Sequence, residues 1–241
     1  MIAAVMRRDW IQFRNTLGRI GFVRLIAAYC ILMGVFVPTR FDDPRASVVV
    51  FALIPLYLVG PLAVDAIAGE RDRKTLESTL CTPVSPFQLM LGKLLLPVGL
   101  AMAFTVCAMA CYKCYSSIVS RPSAGPGDML AALAFGLPLS LLCSATGLHV
   151  SLTASSTRNA QQWYSITLLA LTVGLPLGLR ALLPAIEPWT LQTVSRLFEG
   201  GAVSIGGLLL FLVLLLPGLA LAGLACRRFG RLWTMNEGPR L

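Results

Sequence analysis

Long apolar runs separated by short polar stretches extend along almost the whole chain. A helix needs about 20 predominantly apolar residues to cross a hydrocarbon core of about 30 Å. Six of the runs approach or reach that length. The predicted spans are Phe22 to Val37, Ser47 to Ala68, Leu94 to Tyr112, Met129 to Thr153, Trp163 to Leu179 and Ala202 to Ala225. The pattern therefore predicts an all-α membrane protein whose six transmembrane helices form one domain over residues 21–226.

The composition favours a membrane protein over a soluble one. Hydrophobic residues make up 56% of the chain and charged residues only 13%, whereas a soluble domain usually carries about a quarter charged residues. The formal net charge is +9. Because the basic residues flank the apolar runs and form no single patch, they indicate membrane topology, and no nucleic-acid partner is expected.

The distribution of Lys and Arg predicts the orientation in the membrane. An even number of spans places both termini on one side, and 14 of the 20 Lys and Arg residues fall on that side. Since cytoplasmic loops are enriched in Lys and Arg, both termini are expected in the cytoplasm. The chain is therefore expected to be a multi-pass protein of the cell inner membrane.

Residues 1–20 are predicted to form an amphipathic helix before the first span. Its apolar stripe consists of Met6, Trp10, Phe13 and Leu17. Its polar side carries Arg7, Arg8, Gln12, Arg14 and Asn15. Such a helix is typical of the cytoplasmic membrane surface, where anionic lipid attracts each cation by about 1 kcal/mol. Membrane lipid is an expected partner, and packing against protein is a compatible alternative.

The densest charge in the chain lies between the second and third spans, over residues 69–92. Residues 71–82 are predicted to form a short amphipathic helix, because Leu76 and Leu80 fall on one stripe and two prolines follow. A helix of this kind fits an apolar groove on a cytoplasmic partner. A solvated loop whose charges only enforce topology fits the same residues, so the residues alone leave both interpretations open.

The same segment carries a motif with four parts. Gly-Glu-Arg at 69–71 ends the second span, Thr-Leu-Glu follows at 75–77, Thr-Pro-Val-Ser stands at 82–85, and Leu-Gly-Lys at 91–93 opens the third span. In this order the motif resembles the signature of the ABC type-2 transporter permeases. The order of an amphipathic leader followed by six spans is also similar to that family, so the resemblance extends over the whole chain. One departure is Lys74, which stands where that family usually has glycine.

The resemblance implies the permease subunit of an ABC exporter in which two permease copies face each other. The short helix becomes the coupling helix, seated on a nucleotide-binding subunit, and the leader becomes the connecting helix. ATP and Mg²⁺ are expected on that ATPase subunit, because this chain has no phosphate-binding loop motif. The ATPase contact is assigned to Glu70, Arg71, Thr75, Leu76, Glu77, Leu80, Thr82 and Pro83, and the connecting helix to Met6, Trp10, Phe13 and Leu17. No catalytic residue, metal site or cofactor is assigned to this chain.

Two carboxylates near the end of the second span are candidates for a gate. A carboxylate close to hydrocarbon is costly and is usually paired or functional. Asp65 lies about one helical turn from the membrane interface. For Glu70 the favoured interpretation is an ion pair with a cytoplasmic arginine that steadies an inward gate, and surface solvation is the alternative.

Further expectations concern four remaining features of the chain. Residues 181–200 are too apolar for an open loop and are predicted to be re-entrant, with an interfacial loop as the alternative. Residues 227–241 are predicted to form a basic cytoplasmic tail. Cys111 and Cys114 have CxxC spacing, but a single pair favours packing between helices. His149 is expected to make one interhelical hydrogen bond.

Three other functions compete with the permease interpretation. An intramembrane enzyme would need a nucleophile with its base or a cluster of aspartates, and the sequence suggests neither. A secondary transporter would need more ionisable residues in the spans. A non-conducting membrane anchor for an ATPase complex stays open. An amphiphilic cargo, moved out of the cytoplasm by alternating access, fits the apolar spans better than a free ion.

Overall fold

The computed structural model of the chain describes residues 2–40, 44–76, 84–120, 124–170 and 205–236. Over these ranges all regular structure is helical. The α-helices are α1 (Ile2–Leu17), α2 (Arg19–Ile31), α3 (Pro44–Asp72), α4 (Pro86–Val119), α5 (Pro126–Thr153), α6 (Thr157–Leu169) and α7 (Ile205–Asn236). A π-helical turn, Leu32–Phe36, and a short 3₁₀ helix, Pro38–Arg40, follow α2.

Three of the helices, α3, α4 and α5, are long and apolar enough to cross a membrane. Among the described residues, Val50–Asp72, Pro86–Val119 and Pro126–Thr153 meet both the length and the composition that a span requires. The second, third and fourth predicted spans lie within these helices. α4 and α5 begin at Pro86 and Pro126, because proline has no N–H to leave unpaired in a first helical turn.

The first and fifth predicted spans correspond to helices only in part. α2 and the π-helical turn together cover the first span, but their apolar stretch, Val23–Phe36, is shorter than a full crossing. α6 covers the beginning of the fifth span. The rest of that span lies outside the described residues, as does the predicted re-entrant segment at 181–200.

The last helix is longer than predicted. α7 covers most of the sixth span and continues without a break to Asn236. The predicted tail at 227–241 therefore begins inside a helix. The physical reason is that the next proline after Pro217 is Pro239, so no strong helix breaker separates the apolar part from the basic residues that follow.

Among the described helices, the most extensive packing is between α3 and α5, and it uses small residues. A Cβ atom added to Gly147 of α5 would lie 2.7 Å from the Cβ of Ala63. A Cβ on Gly60 of α3 would overlap the ring of Tyr164 from α6. Small residues allow close approach of helix backbones, and this packing is a main source of helix association in a membrane.

α1 lies against α4 with part of its surface. Val5 is buried, and a Cβ on Gly92 of α4 would meet the Val5 side chain at 3.0 Å. Of the predicted apolar stripe, Met6, Trp10 and Phe13 are half-buried, and the side chain of Leu17 is not described. The helix therefore packs against protein while keeping part of its apolar stripe accessible.

A glycine separates α1 from α2. Gly18 has a φ of +68°, in the left-handed region that glycine adopts without steric cost. Consequently the segment predicted as one connecting helix, residues 1–20, contains all of α1 and the first residues of α2.

Candidate functional site

A buried ionic cluster joins α3, α1 and α4. The Oε1 atom of Glu70, near the end of α3, accepts hydrogen bonds from Nη2 of Arg8 at 2.7 Å and from Nζ of Lys93 at 2.9 Å. Lys93 also donates to the backbone oxygen of Ala66 at 2.6 Å. The Asp9 carboxylate lies 3.5 Å from Lys93 and 3.3 Å from Arg8. Two cations therefore face two anions.

The centre of this cluster is withdrawn from solvent. The side chains of Lys93 and Glu70 are only 2% and 6% exposed, whereas that of Arg8 is 43% exposed. Burial of a charge costs several kcal/mol per ion unless partners compensate it. Lys93 faces three acceptors, which is the number of hydrogens on an ammonium group. These contacts therefore compensate the cost of burying the Lys93 ammonium group.

The next residue, Arg71, is directed to the C-terminus of α5. Its Nη1 atom donates to the backbone oxygen of Ala154, and its Nη2 atom to that of Leu152 at 3.5 Å. The last carbonyl groups of a helix have no partner within the helix, and a cation there also interacts favourably with the helix dipole. Arg71 therefore caps α5.

Asp72, the last residue of α3, caps the N-terminus of α6. Its Oδ2 atom accepts hydrogen bonds from the backbone N–H of Thr157 at 2.8 Å and from the Thr157 hydroxyl at 2.5 Å. Thr157 is the first residue of α6. A carboxylate at this position satisfies an N–H group that lacks a partner and complements the helix dipole.

Three consecutive residues thus connect the end of α3 to four other helices. Glu70 binds α1 and α4, Arg71 binds α5, and Asp72 binds α6. We refer to Glu70, Arg71 and Asp72 as the α3 junction. Each of the four helices is therefore bound by a charged side chain from the end of α3.

A buried serine makes a further connection one turn earlier. The Ser151 hydroxyl of α5 is fully buried and donates to the backbone oxygen of Val64 at 2.6 Å. Its oxygen accepts hydrogen bonds from the N–H groups of Ala68 at 2.8 Å and Ile67 at 3.3 Å. α3 and α5 are therefore joined by hydrogen bonds as well as by close packing.

The end of α3 is set by Lys74. This residue has a φ of +57°, and its N–H donates to the backbone oxygen of Arg71 at 3.0 Å. A left-handed residue after the last turn ends a helix, and glycine is preferred there. Arg71 and Asp72 belong to α3, so the start given to the coupling helix, about residue 71, lies inside the span helix. Helical conformation resumes at Leu76.

The residues assigned to the ATPase contact divide into two groups. Glu77, Leu80, Thr82 and Pro83 lie outside the described residues. Leu76 is half-buried and packs against a core cluster of this chain that includes Ile67 and Leu89. Thr75 is exposed, and its hydroxyl donates to the backbone oxygen of Glu70 at 3.3 Å.

The two gate candidates have different partners. Asp65 pairs with Arg73, whose Nη2 atom lies 2.5 Å from Oδ2 of Asp65, and both side chains are partly exposed. The favoured interpretation of Glu70 required an arginine partner, and the structure supplies Arg8 from α1. The gating role of both carboxylates stays a prediction.

Sequence reasoning missed several residues of the site. Asp9 was not identified, although it lies one helical turn after Val5 and one before Phe13, which is the spacing of a shared helix face. Lys93 was recognised only as part of a motif. Ser151 and Thr157 carried no local signal, because their partners lie more than 80 residues away along the chain.

His149, Cys111 and Cys114 lie outside the α3 junction. His149 has its Nε2 atom 3.5 Å from Nη1 of Arg228 on α7, so the expected contact between helices is present. Cys111 is half-buried and Cys114 is exposed. Within the part of the chain that the structure describes, no group of three or more His, Cys, Asp or Glu side chains is arranged to hold a metal ion.

Comparisons with known proteins bear on the same region of the chain. The sequence profile of the family described as ABC-2 family transporter protein matches residues 45–206. Over 141 residues the chain is 30% identical to the ABC transporter permease protein NatB of Bacillus subtilis (strain 168). That alignment covers 52% of this chain and 36% of the relative, so the match spans about a third of the length of NatB.

Proposed function

Because this chain belongs to the ABC-2 transporter family, we propose that it is the permease subunit of an ABC exporter driven by ATP hydrolysis on a separate nucleotide-binding subunit. The apolar helices α3, α4 and α5 supply the membrane-embedded part. The α3 junction carries the proposal. It connects α1, α4, α5 and α6 to the point where the chain leaves α3 for the predicted coupling helix.

In the proposed topology the chain lies in the inner membrane of the cell and crosses it six times. Both termini are in the cytoplasm. The excess of Lys and Arg on the side of the termini supports this orientation. It puts the α3 junction, the beginning of α4 and the end of α5 on the cytoplasmic side. An ATPase in the cytoplasm then reaches the coupling helix directly.

The proposed mechanism is mechanical. Closure of two ATP-bound subunits pushes the coupling helices, and the push reaches the end of α3. Since Glu70, Arg71 and Asp72 bind four helices, those helices move with α3 as packed bodies, which is a usual form of conformational switching. The motion changes the permease from an inward-facing to an outward-facing state, and hydrolysis resets it.

α1 has a defined part in this mechanism. Arg8 of α1 reaches Glu70 from a helix that is proposed to lie along the cytoplasmic membrane surface. The lipid surface holds α1 while the Arg8–Glu70 pair links it to the moving end of α3. Glu70 and Asp65 then act as an inward gate whose ion pairs rearrange during the switch.

The proposed assembly contains more than this chain. Two permease copies face each other around the transport path, and ATP and Mg²⁺ are bound by the partner ATPase subunits. The cargo is proposed to be amphiphilic, since the described spans expose leucine, valine and phenylalanine side chains more than ionisable ones.

A site-specific cross-linking experiment tests the function. Benzoylphenylalanine is placed at Leu76 or at Leu80 in the full-length chain, and the products are identified by mass spectrometry after irradiation in membranes. The expected product is a soluble polypeptide with a phosphate-binding loop that hydrolyses ATP. The control position is Ile118, which is 81% exposed near the other end of α4 and is expected to capture no ATPase.

Two results would contradict the proposal. One is the absence of a nucleotide-hydrolysing product from both coupling positions, in spite of normal membrane insertion. The other is labelling of Leu76→Cys by a membrane-impermeant thiol reagent applied to the outer face of intact cells, because the coupling helix would then lie on the wrong side.

A further inference from the structure

A cavity of about 560 Å³ lies beside the α3 junction, between α1, α3, α4 and α6. Its volume is within the range of small-molecule binding sites, about 300–1,000 Å³. Along α3 its lining changes from Leu62 to Asp65 and Glu70. Along α4 it changes from Leu100 to Lys93. One end of the cavity is therefore apolar and the other is charged.

The charged end contains an acceptor without a partner. Glu70 lines the cavity with a side chain that is 6% exposed. Its Oε1 atom has two donors, but its Oε2 atom is buried and accepts no hydrogen bond from any residue that the structure describes. A buried carboxylate oxygen without a donor is costly. Because Glu70 lines the cavity, a hydrogen-bond donor bound there would offset that cost.

The charges around this end are balanced. Among the described residues, Asp9, Asp65 and Glu70 line this end together with Arg73 and Lys93. Arg8 is not part of the lining but binds Glu70, so the ion pairs join three anions to three cations. A ligand with a net charge would disturb that balance. A ligand whose head group brings one cation and one anion would preserve it, with the cation near Glu70 and the anion near Arg73, which is partly exposed.

From this juxtaposition we propose that the cavity binds a zwitterionic amphiphile of the phosphoethanolamine type. Its primary ammonium group donates a hydrogen bond to Oε2 of Glu70, its phosphate lies near Arg73, and its alkyl chain lies along Leu62, Leu96 and Leu100. A quaternary ammonium group has no N–H and therefore cannot donate this hydrogen bond. The idea that this amphiphile is the cargo rests on the proposed function. The idea that the cavity binds it does not.

Photolabelling of the full chain in nanodiscs of phosphatidylglycerol tests the site, since that lipid carries no ammonium group. The probe is an alkyl phosphoethanolamine with a diazirine at the end of its chain, and labelled residues are mapped by mass spectrometry. Saturable labelling is expected at residues 61–62 of α3 and 96–100 of α4. Dodecylphosphoethanolamine is expected to compete at about tenfold lower concentration than dodecylphosphocholine, the difference that a charge-assisted hydrogen bond supplies.

Variants separate the two ends of the cavity. Glu70→Gln is expected to abolish the preference for the ethanolamine head group, and Leu100→Trp is expected to reduce labelling about tenfold by filling the apolar end. Asp128→Asn is the matched control, because Asp128 caps Gly125 at the start of α5 and does not line the cavity. It is expected to leave labelling and head-group preference unchanged.

Several outcomes would overturn the inference. These are equal competition by the two head groups, competition by dodecylamine as strong as by dodecylphosphoethanolamine, and labelling that Leu100→Trp does not reduce. The Leu100→Trp result counts even where Glu70→Gln fails to fold. Because this experiment needs no ATPase, failure of head-group selectivity leaves the cross-linking result intact, and failure of the cross-linking leaves the binding site intact.

Discussion

The Nζ atom of Lys93 lies 2.9 Å from Oε1 of Glu70, and both side chains are almost fully buried. An exposed ion pair contributes little, because water and salt screen it. A buried pair behaves differently, since each charge depends on the other for compensation of its lost hydration. Lys93 and Glu70 therefore hold α4 against α3 as a pair. Their contribution to stability is measured by removing one of the two side chains.

Lys93→Met is expected to lower the free energy of unfolding by about 3–5 kcal/mol, because it leaves Glu70 buried beside a single cation. The measurement is unfolding by SDS titration in mixed micelles, followed by tryptophan fluorescence. The double variant Glu70→Leu/Lys93→Met removes both charges and is expected to be more stable than the single variant. Losses that simply add up in the double variant would show that the two side chains are not coupled.

Glu70→Ala is expected to reduce the ATPase stimulation that the permease gives its partner, while membrane insertion stays normal. The reason is that Glu70 is the residue of the α3 junction that binds both α1 and α4. Stimulation is measured as ATP hydrolysis by the reconstituted complex with and without the permease. Asp128→Asn removes a carboxylate elsewhere in the bundle and is the control. Unchanged stimulation in Glu70→Ala would exclude a coupling role for this residue.

Lys74→Gly is expected to raise the free energy of unfolding by about 0.5–1 kcal/mol. Lys74 has a φ of +57°, a conformation that costs a residue with a Cβ roughly 1–2 kcal/mol, part of which is offset by the greater freedom of glycine in the unfolded chain. Lys74→Ala is the matched control, since it removes the charge but keeps the Cβ. Equal stability of the glycine and alanine variants would mean that strain is not what Lys74 contributes.

A second position gives an independent test of the same physical effect. Ser120 ends α4 with a φ of +55°, so Ser120→Gly is expected to give a similar gain at the C-terminus of α4. A gain at Lys74 without one at Ser120 would point to the charge of Lys74 and not to its backbone conformation.

The helical framework was largely predictable from the sequence, because a span depends on a local property, the apolar character of about 20 consecutive residues. α3, α4 and α5 each contain a predicted span. The departure from glycine at Lys74 gave no prediction of a boundary, and the structure shows that α3 ends there with a left-handed residue. The continuation of α7 to Asn236 was not predicted, because a change from apolar to basic residues does not end a helix.

The α3 junction was only partly predictable. The motif located Glu70 and Arg71, but Arg8, one partner of Glu70, lies 62 residues away, and Ala154, a partner of Arg71, lies 83 residues away. Spacing along a helix indicates which residues share a face, and says nothing about which distant side chain meets that face. Asp9 and Thr157 therefore entered the site only once the helices were placed against each other.

The Ser151 hydroxyl offers the most local test of the packing between α3 and α5. It is fully buried, donates to Val64 and accepts from Ala68. Ser151→Ala keeps the volume of the residue nearly unchanged while it removes these hydrogen bonds. The expected loss in free energy of unfolding is about 1 kcal/mol, in the upper part of the range for hydrogen bonds between helices in a membrane.

Ser140→Ala provides the comparison that makes this loss interpretable. Ser140 is also fully buried on α5, but its hydroxyl donates to the backbone oxygen of Leu137 in its own helix, at 2.7 Å. Its removal is expected to cost a few tenths of a kcal/mol at most, because the link it makes is within one helix. Equal losses in the two variants, measured in the same SDS titration, would mean that burial of a hydroxyl and not the bridge from α5 to α3 determines the effect. A larger loss at Ser151 is the expected result, because of the two hydroxyls only that of Ser151 bridges α5 and α3.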